Sequence, residues 1–377
     1  MGETIRVLQF ADVVNRHDFI DTIVRRADPE RFLVGLCVRV AESNIAAPVY
    51  TERTPRWRIA GPSRAAAPRA AVQLARILRD WRADILHTHH YDQAVIGLAA
   101  TRLNPRTRLV VGRHYSDAIH RLASPFKKRA LLGVEQSVNR AAARIVAPST
   151  YIREILSGWQ GVEPAKIDLI PYGFEAEKYS APDAADVRRL RAEFGLDGRF
   201  VIGTFARLHE EKGHRFMASA LKQVRERVPN VLWLVVGEGP ERAALERQLG
   251  EDGLGEAARL VGWRRDAMTI MAAADAVVQP TLQEAFSQAM VEALWMRRAL
   301  VITDVSGAPD IIEDGRNGLL VPRGDAAALA SAVIRLARDA DLRTRLGEAG
   351  RAHVEERLDI DKIIRLYEES YLRALGK

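Results

Sequence analysis

Ala276-Val277-Val278-Gln279-Pro280-Thr281-Leu282-Gln283-Glu284-Ala285-Phe286-Ser287-Gln288-Ala289-Met290-Val291-Glu292 reads as a short buried strand, a loop and the opening of a helix. Two carboxylates, Glu284 and Glu292, sit eight residues apart across that loop and helix start. Apolar runs on either side predict further strands at Phe200–Phe205, Val231–Val236, Arg259–Val261, Ala299–Thr303 and Gly318–Val321. Between them, helical spacing predicts helices over Gly213–Val228, Glu241–Leu249, Asp266–Ala273 and Ser287–Trp295, with Ala326–Arg338 after the last strand. Strand–helix alternation of this kind predicts a parallel, doubly wound sheet. Such sheets bind ligands beyond the carboxyl ends of their strands. Arg207, Gly237, Gly262, Gln283 and Asp304 all follow strands, so they are expected on one edge.

The residue types on that edge point to a sugar nucleotide. Arg207 and Lys212 follow the first of these strands, and a cation pair there suits a diphosphate by charge and by donors. A helix starting near Ser287 turns backbone N–H groups toward the same anion. Glu284 and Glu292 do not suit a phosphate; they accept hydrogen bonds from sugar or ribose hydroxyls.

The first half alternates less cleanly. Thr4–Phe10, Phe32–Val40, Arg108–Gly112, Arg144–Ala147 and Lys166–Ile170 read as strands, and Ala70–Trp81 as an amphipathic helix. Ala47–Pro68, with four prolines, reads as a loop around at most a short strand near Trp57. Asp84–His87 reads as a short strand ending in a loop, Thr88-His89-His90-Tyr91. The three histidines lack a further ligand at metal-site spacing. Pro148-Ser149-Thr150 caps a helix, and Asp359–Leu375 predicts a last helix.

Length and composition set the bounds. A chain of 377 residues predicts two domains. No apolar run is long enough for a transmembrane span, and the start lacks the pattern of a secretion signal. The lone Cys37 excludes an internal disulfide framework, and a cytoplasmic protein is expected. Residues 1–174 hold 26 Lys and Arg against 16 Asp and Glu, and the remainder 30 against 33. The basic half implies either an anionic partner, such as a phospholipid surface, a lipid diphosphate or an acidic glycan, or a solvated Arg-rich face. No nucleic-acid-binding module is evident.

Arg207-x4-Lys212-Gly213, Gly237-Glu238-Gly239-Pro240, Val261-Gly262-Trp263, Glu284-x7-Glu292 and Thr303-Asp304-Val305-Ser306-Gly307-Ala308-Pro309-Asp310-Ile311-Ile312, in that order, resemble the retaining GT-B glycosyltransferases of family 4. The resemblance covers nearly all of the second half and, more loosely, the first. It implies two Rossmann-like domains facing a cleft: an acceptor-side domain over 1–174, a nucleotide-sugar domain over 175–356, and a helix over 357–377 crossing back to the first. Pro171-Tyr172-Gly173-Phe174 resembles the family's hinge, with Tyr172 in place of Asn.

The resemblance also implies roles. Arg207 and Lys212 would stabilise the leaving diphosphate, and Glu284 would hold donor-sugar hydroxyls. The N–H groups of Phe286 and Ser287 would face the diphosphate, Glu292 would take the ribose hydroxyls, and Gly262 would offer backbone to the base. His114, after a strand of the first domain, would lie near donor sugar and acceptor, with His89 or His90 near substrate. No metal and no cofactor are expected, because cations do the electrostatic work. The partners implied are a UDP- or GDP-linked sugar and a glycan or glycolipid acceptor. Contact with an anionic membrane is expected through Phe126, Lys127, Lys128 and Arg129, at its inner face, and no nucleic acid. Two departures stand out: the first loop, Ala11 to His17, carries no glycine, and Ala285 replaces the glycine that often follows the first Glu. The alternatives are a sugar-nucleotide epimerase or hydrolase on the same fold, and a non-catalytic sugar-nucleotide-binding subunit.

Overall fold

The computed structural model describes residues 4–12, 19–39, 54–59, 61, 63–114, 123–178 and 182–377. Most of the first loop (13–18) and part of the segment before Pro68 lie outside the described residues, so neither expectation is addressed there. The chain divides into two compact units, Met1–Glu175 with Ile360–Lys377, and Ala176–Asp359.

The first unit holds seven strands: β1 (Ile5–Ala11), β2 (Phe32–Val38), β3 (Arg56–Arg58), β4 (Ile85–His89), β5 (Arg108–Gly112), β6 (Arg144–Ala147) and β7 (Ile167–Leu169). They pair in the order β3-β2-β1-β4-β5-β6-β7, every pairing parallel. The last helix, Ile360–Ala374, belongs to this unit. Its Ile360, Ile363, Ile364, Tyr367 and Tyr371 are buried with Ile5, Val7, Val34, Ile85 and Val110 of the sheet. Burying five such side chains is worth on the order of 10 kcal/mol before ordering costs, enough to hold a terminal helix in place.

The second unit holds β8 (Phe200–Phe205), β9 (Val231–Val236), β10 (Ala258–Gly262), β11 (Ala276–Gln279), β12 (Ala299–Thr303) and β13 (Leu319–Val321). Their order is β10-β9-β8-β11-β12-β13, again all parallel. Every residue of β8, β9, β11 and β12 is buried, as parallel strands covered by helices on both faces require. Trp233 sits in the middle, its indole N–H donating to Thr204 Oγ1 at 2.9 Å, and Thr204 donates to the Val278 carbonyl at 2.8 Å. In both sheets the strand order reverses at one place, beside β1 and β4 and beside β8 and β11. That switch point opens a crevice at the carboxyl ends of the strands.

Three sequence expectations change. β4 runs on to His89, so Thr88 and His89 are strand residues rather than loop, and both are buried. Asp84 falls outside the strand, where its carboxylate accepts from the Arg6 N–H at 2.8 Å. A helix not expected from the sequence, Ala340–Arg357, follows Asp339, whose carboxylate caps it by accepting from Leu342 N–H at 2.7 Å. Among the described residues no helix is long and apolar enough to cross a membrane.

Candidate functional site

The crevice of the second unit is built by the segments leaving β8 and β11. After β8 the chain turns through Glu210–Lys212 into the helix His214–Arg227. Gly213, at φ +66°, makes that turn, and a Cβ on it would lie 2.0 Å from the Pro280 carbonyl oxygen. Only glycine lets the two segments approach so closely. The loop after β11 is stitched to the same turn, since Leu282 N–H donates to the Glu211 carbonyl at 2.7 Å.

Lys212 and Glu284 therefore meet. Lys212 Nζ lies 2.8 Å from Glu284 Oε1, with both side chains largely buried. Burial pushes the Glu284 carboxyl above its ordinary range, and the neighbouring Lys212 ammonium opposes that rise. Arg207 stands apart: its side chain is 74% exposed and ion-pairs with Glu211 at 3.0 Å. Of the two expected cations, only Lys212 is seated against a carboxylate of the glutamate pair.

The peptide of Glu284 is itself held. Ser306, a non-glycine residue at φ +57°, accepts from Glu284 N–H at 3.1 Å through its hydroxyl, which also donates to the Glu284 carbonyl. Sequence reading quoted Ser306 inside its motif but gave it no task. The signal was its place in the turn after β12, where a left-handed residue is unusual. Ser287 caps the helix Gln288–Trp295: its hydroxyl accepts from Met290 N–H at 3.2 Å and donates to Gln279 Oε1 at 2.6 Å. Phe286 is buried beside it, and Glu292 is half-buried on the helix. Gly262 ends β10, its carbonyl accepting from Gly237 N–H at 2.9 Å. Lys212, Glu284 and Ser306 thus form one cluster, with Ser287 at the start of the next helix, and Arg207 acts on Glu284 by charge from the same edge.

In the first unit His114 follows β5. Both of its ring nitrogens face protein partners: Nε2 lies 2.8 Å from His89 Nδ1, and Nδ1 meets the Tyr172 hydroxyl. Burial lowers its pKa well below the ordinary histidine range, as it does for His89 and His87, the last to about 3. His89 is a fully buried strand residue, so it is not placed as an open loop ligand. Tyr115 to Asp117 lie outside the described residues. Among the described residues no group of three or more His, Cys, Asp or Glu is arranged to hold a metal ion.

Two family models match the chain: Glycosyl transferases group 1 over residues 199–339, and Glycosyltransferase Family 4 over residues 22–178. The 2-deoxystreptamine glucosyltransferase of Streptomyces kanamyceticus is 27% identical, with 90% of this chain and 92% of that protein covered. The phosphatidyl-myo-inositol mannosyltransferase of Mycobacterium leprae is 29% identical, with 97% and 92% covered. Among solved structures, Anabaena HepE in complex with UDP superposes with a TM-score of 0.80 at 22% identity, over 97% of this chain and 99% of that one. HepE has also been solved with UDP-glucose (TM-score 0.79, 22% identity, 97% and 99% covered). With both halves matched and the two parallel sheets in place, the chain belongs to the group 1, family 4 glycosyltransferases of GT-B fold.

Proposed function

We propose that the protein transfers a sugar, with retention at the anomeric carbon, from a UDP- or GDP-linked donor to a hydroxyl of a glycan or glycolipid. The observation that carries this reading is the Lys212–Glu284 pair at the sheet's switch point. A cation there suits the diphosphate, and a carboxylate beside it suits the hydroxyls of the attached sugar.

On this reading Lys212 and Arg207 stabilise the charge that grows on the leaving diphosphate, an oxyanion-hole type of effect. Arg207, exposed on the same edge, contributes the second cation to the diphosphate. Glu284 holds donor-sugar hydroxyls, with Ser306 fixing its peptide. Phe286 and Ser287 present N–H groups at the helix start. Glu292 takes the ribose hydroxyls, Gly262 offers backbone to the base, and His114 is the site residue of the first unit. The cations carry the electrostatic work, so the reaction proceeds without a metal. Relatives named as a glucosyltransferase and a mannosyltransferase support a hexose as the transferred group. Neighbours solved with UDP and UDP-glucose favour uridine as the first base to try.

Melting in the presence of EDTA with UDP, GDP, ADP or CDP tests the donor site. A diphosphate at about 100 times its Kd adds about 2.7 kcal/mol to stability. One base is expected to raise Tm clearly above the others. Parallel melts with Mg²⁺ in place of EDTA separate the outcomes: no shift in either condition would sink the donor reading, and a shift seen only with Mg²⁺ would sink metal independence.

The same reading places the protein at an anionic membrane surface. Phe126 is 84% exposed at the start of the helix Pro125–Ala141, beside Lys127, Lys128 and Arg129. Each such cation is worth about 1 kcal/mol near anionic lipid. Vesicles with phosphatidylserine are expected to retain the protein at low salt, and Phe126→Glu to release it. Equal recovery with neutral vesicles would remove the anionic surface from the reading, and no recovery with either would remove the membrane.

A further inference from the structure

A continuous run of hydrogen bonds crosses the interior of the first unit at its switch point. The Tyr172 hydroxyl meets His114 Nδ1, and His114 Nε2 lies 2.8 Å from His89 Nδ1. His89 Nε2 lies 2.8 Å from Gln9 Oε1, and Gln9 Nε2 donates to the Tyr371 hydroxyl at 2.9 Å. That hydroxyl lies 2.9 Å from His87 Nδ1. Gln9 is on β1, His87 and His89 share one face of β4, and Tyr371 comes from the last helix, so the run ties together three elements at the switch point.

The donors and acceptors then fall in one direction. An amide NH₂ cannot accept, so with Nε2 on Tyr371 the carbonyl oxygen of Gln9 faces His89. His89 must carry its proton on Nε2 to donate there. A neutral imidazole has one proton, so His89 Nδ1 is bare and receives the Nε2–H of His114. His114 Nδ1 is bare in turn and takes the Tyr172 O–H. Tyr371, having accepted from Gln9, donates to His87 Nδ1. The His87 proton is left on Nε2, which is buried without a partner. Space for the rings comes from Gly112: a Cβ there would lie 2.5 Å from His114 Nε2, 3.1 Å from His89 Nδ1 and 3.2 Å from His87 Nε2.

We propose that Gln9 and His89 are positioning residues that hold His114 in a single neutral tautomer, its proton on Nε2 and its Nδ1 lone pair turned to the Tyr172 hydroxyl. The use of this lock rests on the transfer reaction proposed above. Glycosyl transfer passes through an oxocarbenium-like sugar, and an imidazolium at the site would repel that charge. A neutral His114 carries no such repulsion. The titratable groups facing the run are His87 and His89 on β4, His90 just beyond it, Tyr172 after β7, and Tyr367 and Tyr371 on the last helix, with Glu368 acting on Tyr371. The chain of neutral partners keeps protons off His114 through burial and through the neighbouring imidazoles.

Long-range ¹H–¹⁵N correlation on the full chain, labelled at histidine and without any sugar nucleotide, reads the tautomer directly. His114 is assigned by its loss in His114→Phe. The expected pattern is a protonated Nε2 and a bare Nδ1, unchanged from pH 8 to 5.5. Gln9→Glu places a carboxylate beside His89 and favours the charged form, so His89 and His114 are expected to bind protons at least tenfold more tightly. Tyr371→Phe frees the Gln9 amide to turn over, and a mixture of His114 tautomers is expected. A wild-type His114 with its proton on Nδ1, or with averaged signals, overturns the proposal. So does a folded Gln9→Glu protein whose His114 signals match the wild type. If Gln9→Glu does not fold, the wild-type spectrum and Tyr371→Phe still decide. Because no donor is present, failure here stays separate from failure of the transferase reading, which the nucleotide melts decide.

Discussion

Lys212→Ala is expected to lower the rate of sugar transfer by about 10²- to 10³-fold, the loss typical of removing one preorganised charge-stabilising group. Two effects act together. The leaving diphosphate loses its most fixed cation, held at 2.8 Å from Glu284 with 12% of its side chain exposed. Glu284 also loses the ammonium that opposes the upward push of burial on its carboxyl, so less of it is ionised to hold donor hydroxyls at neutral pH. Initial rates over a range of donor concentrations separate the causes. A fall in kcat with KM unchanged marks loss of transition-state stabilisation, and a rise in KM alone would show that Lys212 only binds the ground state. Removing one partner of a largely buried ion pair also destabilises the fold, so Tm must be followed alongside. Arg207→Ala is the control for that: its exposed pair with Glu211 predicts a stability change within about 0.5 kcal/mol.

The second sheet was legible because its strands are buried on both faces and read as unbroken apolar runs. β8, β9, β11 and β12 fall on the expected residues, and the expected edge residues follow their ends. The first unit was harder for a physical reason: its strands carry polar residues inward. Thr88 and His89 look like a loop by composition, yet both are buried, and Gln9 and His114 satisfy the His89 imidazole. The usable signal was the alternation of His87 and His89, which puts both on one face of a strand. Tyr371 lies 362 residues from Gln9, and nothing local in either stretch announces that contact. Within the site, the types and spacing of Lys212 and Glu284 pointed to their chemistry. That Lys212 rather than Arg207 is the seated cation depends on the Gly213 turn and the loop after β11, which only the fold brings together.

Between pH 6.5 and 5 the first unit is expected to lose stability through His87, His89 and His114, with His87 alone, whose folded pKa is about 3, accounting for about 1.6 kcal/mol. Burial lowers the pKa of all three, that of His87 to about 3. The unfolded chain therefore binds these protons first, near pH 6.5, while the folded unit resists them. In that window the unfolded state carries more protons, so stability rises with pH. It is complete above the unfolded pKa and falls as pH drops from 6.5 toward the folded values. Domains are typically stable by about 5–15 kcal/mol, so even one such histidine is a measurable part of the total. The second unit holds one comparable group, His214, which burial and then Lys212 lower to about 4, and its loss over the same interval is about 1.6 kcal/mol. Glu284 acts in the opposite sense. Its raised folded pKa gives stability that is present below the unfolded pKa and lost as pH rises through the folded one, so acid relieves that single group. Urea melts at pH 7.5, 6.5, 5.5 and 5, read separately by a probe in each unit, measure the slopes. A steep loss in the first unit and a shallower one in the second is the expected outcome. A first unit equally stable at pH 7.5 and 5 would mean that its histidines take up protons without unfolding, and that the run from Tyr172 to His87 is open to water.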